Sequence, residues 1–282
     1  MSKTVRYIMY VIIMIICVMA IFVGVYSLES KNARKKEQII DINELEEKTE
    51  KKTEETTTQK FKKLFTNEFF NSQYKATVKK INPDKDIVYA ETETINDNEN
   101  YSLDVHLPII NIDTELGKEF NNRTIRDCVS KRNALKSQED IKEYTIYDTS
   151  FTSYVNNDIL SVAIMVSLKE GNNAQRVFVK TYNYNLKTDK EVSIMDVLEE
   201  RGIDSTSANK KINSEIKKVA EEAESMSSSG YNVYKRNPED EMYDVKNVKT
   251  FIQGPNGELY VIYAYGDRNN TAEMDVIEIK ND

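Results

Sequence analysis

His106 is the only histidine in the chain, so a Ser/His/Asp triad or a histidine-bearing zinc site would have to be built on it. It alternates with Asp104 and Pro108 on a segment of strand character, the setting of a partly exposed structural histidine rather than a general base. Two cysteines are present. Cys17 lies inside a long apolar run, and Cys128 falls on the apolar side of a helical pattern, where a thiol packs and does not react. The carboxylate pairs Glu199-Glu200 and Glu221-Glu222 read as solvated helix faces. Glycoside hydrolysis needs only two carboxylates at the correct separation, but nothing in the spacing marks such a pair. The expectation is no catalytic residue, no cofactor and no metal, with ligand chemistry limited to carboxylates and carbonyls that favour weak calcium-type binding at most.

What remains is recognition chemistry. Seventeen tyrosines occur with no tryptophan, and Tyr182, Tyr184, Tyr260, Tyr263 and Tyr265 fall on segments of strand character. A tyrosine ring can stack on a sugar or anchor a protein interface while its hydroxyl stays hydrated; it can also simply cover a sheet. Between two strands rich in β-branched and aromatic residues the loop Gly171 to Arg176 presents Asn172, Asn173, Gln175 and Arg176, all able to hydrogen-bond a polar partner. These four, with Tyr182 and Tyr184, are the candidate partner-binding residues.

The elements that would position them follow from periodicity. The run Ile8 to Val25 carries no charge and would span roughly 27 Å as a helix, the thickness of a bilayer core. It exceeds a signal-peptide core and lacks a small-x-small cleavage site, so residues 7–28 read as an uncleaved signal anchor in the lipid bilayer, behind a cytoplasmic tail of residues 1–6. Lysines and arginines flank both ends, so orientation rests on the short amino terminus staying inside. Residues 29–63 are dominated by charge and read as a flexible or helical stalk. Of the net charge of −8, the stretch beyond residue 63 carries −11, which argues against nucleic acid, since phosphate binding needs clustered Lys and Arg.

That stretch is expected to be α+β, antiparallel sheets with packed helices, in a first lobe at 64–140 and a second at 141–282. Strands are expected at Tyr74 to Lys80, Asp86 to Thr94 and Tyr101 to Leu107, the last ended by Pro108. One helix follows, capped at Asp113-Thr114. An antiparallel meander then runs through Tyr144 to Val155, Ile159 to Leu168 and Gln175 to Asn185, turning at Asn156-Asn157-Asp158 and Gly171-Asn172-Asn173. Ser193 caps a short helix, a longer one follows Asp204, and strands at Val248 to Gln253, Glu258 to Tyr265 and Met274 to Lys280 close the chain.

Two stretches of this lobe, Tyr154-Val155-Asn156-Asn157-Asp158-Ile159-Leu160-Ser161-Val162 and Lys180-Thr181-Tyr182-Asn183-Tyr184-Asn185-Leu186-Lys187-Thr188-Asp189-Lys190-Glu191-Val192-Ser193, carry a resemblance. The region Tyr101 to Lys280 resembles the exterior domain shared by the lysozyme-binding anti-sigma-V factor and a class of peptidoglycan deacetylases, a domain of unknown function of the Gram-positive type. It departs at Gly171 to Arg176, where that family often has a Gly- and His-containing loop, and at Tyr263-Ala264-Tyr265-Gly266-Asp267-Arg268, which replaces an Asn-Pro-Tyr segment. Six residues before the anchor are too few for a sigma-binding domain, so none is expected there, and no deacetylase domain is expected within this stretch. The resemblance implies an extracytoplasmic, non-enzymatic binding or sensing module of the cell envelope, engaging peptidoglycan or a lysozyme-like protein. The alternatives are a structural or assembly component and, behind it, a cell-wall hydrolase.

Overall fold

The computed structural model describes residues 55–70, 74–97, 99–137, 143–266 and 272–280. The expected tail, anchor and all of the stalk before Glu55 lie outside them; among the described residues no helix is long and apolar enough to cross a membrane. Residues from Glu55 onward form one unit. Folded structure therefore starts earlier than the stalk boundary at 63. Helix α1 (Thr57–Lys62) is opened by a capping box between Thr56 and Gln59, and its Phe61 is fully buried. A single aromatic at the correct face outweighs the charged neighbours that mark the segment as spacer.

The larger sheet runs β2 (Val88–Asp97), β3 (Tyr101–Ile110), β4 (Thr145–Asn156), β5 (Ile159–Glu170), β6 (Arg176–Asn185) and β7 (Lys190–Glu191), with β1 (Phe69–Phe70) parallel to the far half of β4. The β4-β5-β6 meander is as expected, and Asn157 and Asp158 both take positive φ, as the tight two-residue turn requires. Parallel pairing of β3 with β4, from Tyr101↔Thr145 to Val105↔Thr149, carries the sheet across the expected lobe boundary at 140. Pro108 does not end β3. The backbone N–H of His106 points toward Thr149 on the β4 side, so by strand alternation the missing N–H of Pro108 faces a gap that β4 has already left. The expected strand at 74–80 is a single bridge, Lys80 to Ile112; the backbone N–H groups of Lys75 and Ala76 are taken instead by the carboxylate of Asp158, at 2.6 and 3.0 Å.

Helix α2 (Glu115–Thr124) is N-capped by Thr114 and continues through a π turn (Ile125–Val129) into α3 (Ser130–Lys136). These cover one face of the large sheet, with Phe120, Cys128 and Leu135 meeting Leu103, Phe151, Leu160 and Val162. The second sheet, β8 (Phe251–Gln253), β9 (Leu259–Ala264) and β10 (Met274–Ile279), is antiparallel. One of its faces, with Tyr260, Ile262 and Val276, packs with Phe61 on the opposite face of the meander. The other carries α4 (Ile194–Glu200), capped by a Ser193–Asp196 box, and α5 (Ser205–Ser228), capped by Asp204. The class is α+β with antiparallel-dominated sheets in a helix-sheet-sheet-helix stack. Strand β5 is buried on both faces at its start, from Ile159 to Ile164, because it lies in the middle of that stack.

Candidate functional site

The expected recognition residues occupy two places. The β5–β6 loop has Asn172, Asn173 and Gln175 exposed. Gly171 takes φ +52°, and a Cβ there would meet the Glu143 side chain. Arg176 is not free: its guanidinium pairs with Glu170, which also takes the Lys131 ammonium at 3.0 Å. The amide of Gln175 is bonded to the Ser167 hydroxyl. The loop thus offers two free amides on a base fixed by charge.

Tyr182 and Tyr184 sit at the other end of β6. Tyr184 is eight positions beyond Arg176, roughly 26 Å along a strand. Tyr182 is half-buried with its ring edge-to-face on Phe120 at 4.2 Å and the Arg123 guanidinium 5.7 Å from its centroid. Tyr184 is buried, its hydroxyl shared between Asp189 at 2.5 Å and Thr114 at 3.2 Å. Burial leads the causes that push both hydroxyls up to about 12. The cavity beside them, under Leu116, Gly117 and Phe120, holds about 20 Å³, room for about one water. Both rings are packing residues of the α2–β6 contact, and neither offers an open stacking face. Tyr260, Tyr263 and Tyr265 are buried as well. Tyr265 lies at the centre of a polar cluster: it stacks on Tyr234 at 4.0 Å and its hydroxyl meets Tyr243 at 3.0 Å and Asp275 at 2.7 Å. Arg236, almost fully buried, grips Asp275 with two bonds of 3.0 Å.

The groups weighed for chemistry are dispersed. His106 lies on the open face of β3, 3.2 Å from Asp104. Asp104 stands directly beside Asp148 of β4, and burial, then the Asp104 charge, raises the Asp148 pKa. Cys128 is buried under the Tyr147 hydroxyl, which donates to its carbonyl at 3.1 Å; desolvation pushes the thiol up to about 11. Glu199, Glu200, Glu221 and Glu222 are exposed. Among the described residues no group of three or more His, Cys, Asp or Glu could hold a metal ion.

No family model and no curated protein matches the chain. Its structural neighbours are DUF3298 family proteins. One, from Pseudomonas aeruginosa PAO1, is 12% identical over 68% of this chain and 88% of its own, with a TM-score of 0.39. Another, from Bacteroides fragilis NCTC 9343, is 10% identical over 69% of this chain and 92% of its own, with a TM-score of 0.32.

Two grooves escaped the reading of the sequence. One, about 470 Å³, lies beside β9 against the turn Glu241–Tyr243 and residues 247–250. The other, about 530 Å³, lies between α5 and the outer edge of β10. Neither is marked by a run of adjacent residues, because each is lined by segments that do not adjoin in sequence.

Proposed function

We propose that the chain is a membrane-anchored, non-enzymatic binding or sensing module that acts outside the cell, engaging the cell wall or a wall-directed protein. The observation that carries this reading is the β5–β6 loop, whose exposed Asn172 and Asn173 stand on a base braced by Arg176, Glu170 and Lys131. A braced polar loop loses little further freedom on binding. The uncharged run at residues 7–28 and the charged segment after it support placement on a membrane at a distance from the lipid. The resemblance of Tyr101 to Lys280 to the exterior domain of the lysozyme-binding anti-sigma-V factor supports peptidoglycan or a lysozyme-like protein as the partner. His106, Cys128 and the exposed carboxylates stand apart from one another, which favours binding over hydrolysis.

The full chain in detergent should be retained by insoluble peptidoglycan or by immobilised lysozyme. Replacing Asn172, Asn173 and Gln175 with Ser, with Gly171 and Arg176 kept, should abolish retention and leave the melting temperature within a few degrees, as surface substitutions change stability by about 0.5 kcal/mol or less. Retention by neither material leaves a structural component of the envelope as the better reading. Release of soluble muropeptides or acetate would make it a hydrolase.

A further inference from the structure

The outer edge of β10 has the chemistry of a strand acceptor. The Tyr265 N–H donates to the Glu273 carbonyl at 3.1 Å, and this phase makes Tyr263–Asp275, Val261–Ile277 and Leu259–Ile279 the hydrogen-bonded pairs of the β9–β10 ladder. Met274, Val276 and Glu278 therefore direct their backbone groups away from β9. The Val276 N–H confirms it by donating outward to the Thr58 hydroxyl of α1 at 3.3 Å. Beyond that cap, the Glu278 N–H and the carbonyls of Val276 and Glu278 have no hydrogen-bond partner among the described residues.

The other edge strands are guarded by charge or short. Glu91 and Glu93 tie edge strand β2 to Arg132 and Lys136 of α3. Strands β7 and β8 span two and three residues. The β10 edge instead forms the floor of the 530 Å³ groove, with Thr57 at one end, Ile203 just before α5, and Ser207, Lys210, Lys211 and Ser214 on the α5 wall. This volume is in the range of sites that enclose small ligands. Lys211 is paired with Glu215 and Lys280 with Glu278, whereas Lys210 is exposed and has no ion pair among the described residues.

We propose that β10 receives an extended, acidic peptide segment of a partner protein as an added antiparallel or parallel strand, bonded to Val276 and Glu278 with a carboxylate on Lys210. Backbone groups at strand spacing recognise another strand, and the unpaired lysine sets the sign of its side chains. The site is separate from the β5–β6 loop, so it stands or falls independently of the loop's role.

The test uses the full chain in detergent and a fluorescent peptide alternating valine and aspartate, read by anisotropy. Saturable binding with Kd below about 1 mM is expected, weakened by about tenfold or more when alternate peptide nitrogens are methylated and when valine alternates with lysine. Glu278→Pro removes the outward N–H without touching a β9 bond, which an edge strand tolerates, and should weaken binding to a similar degree. Equal binding of the methylated peptide, undiminished binding to Glu278→Pro, or no saturable binding would each overturn the proposal. If Glu278→Pro does not fold, the methylated peptide on the unaltered protein decides.

Discussion

Buried polar side chains in this protein act as joints, and their protonation follows from where they sit. Asn183 accepts from the Ser161 hydroxyl at 2.7 Å and donates to the Phe251 carbonyl at 2.9 Å, so one amide holds the small sheet to the large one. Asn111 does the same for the 82–86 turn, taking the Asn82 N–H and donating to the Asn82 carbonyl, both at 2.7 Å. Cys128, with its thiol pushed up to about 11 and no exposure to speak of, should resist iodoacetamide in the native state at pH 8 and react on unfolding in denaturant; rapid native alkylation would show that the helix-sheet interface opens. Asp148 carries the opposite lesson. Burial and the neighbouring Asp104 raise its folded pKa above the ordinary value, so the folded state binds the proton more tightly and stability is lost as pH rises through that raised pKa. Asp148→Asn should therefore stabilise the protein at pH 7, with the gain vanishing below about pH 3.9, where the unfolded carboxyl is also protonated. Denaturant midpoints at both pH values check it, and a larger gain in acid would contradict the assignment.

At the scale of elements, α2 shows how docking overrides propensity. The Asn121 side chain bonds both the N–H and the C=O of Ile110, each at 2.9 Å, and clamps the helix to the end of β3. That closeness is possible because Gly117 faces the strand end, where a Cβ would stand 2.7 Å from the Ile112 carbonyl oxygen. Alanine is the better helix former by about 1 kcal/mol, yet Gly117→Ala must push the helix off a backbone atom that cannot rotate away. The expected net effect is a loss of about 1–3 kcal/mol, the scale of overpacking, measurable by urea unfolding; a gain would mean that the clamp is slack. The Arg236 cluster plays the corresponding part for the irregular chain after α5. Its two bonds to Asp275 fasten that segment to β10; Glu273 and the Tyr234 carbonyl hold the same guanidinium and Tyr265 holds Asp275, so removing either buried side chain leaves the other with an incomplete set of partners.

At the scale of the whole molecule, the proposed topology makes a direct prediction. Protease added to intact protoplasts should remove the folded region and leave a fragment about the size of the anchor, while a protected carboxy-terminal region would reverse the reading of residues 7–28. Much of the architecture within the described residues was legible beforehand. The meander strands, the tight turn at Asn157-Asp158, the Ser193 and Asp204 caps and the final three strands follow from alternation, turn chemistry and capping, all set by residues a few positions apart. The exposed loop at 171–176 was legible for the same reason. Long-range pairing was not. Parallel pairing of β3 with β4, the start of the fold at α1 and the open edge of β10 each depend on which distant segment meets which edge. Tyrosine placement is the sharpest case: alternation puts Tyr182, Tyr184, Tyr260, Tyr263 and Tyr265 on strands, but a strand has two faces. Only the stacking of helix, sheet, sheet and helix decided that both were covered, because the burial of a face is a property of what packs against it and not of the residues that form it.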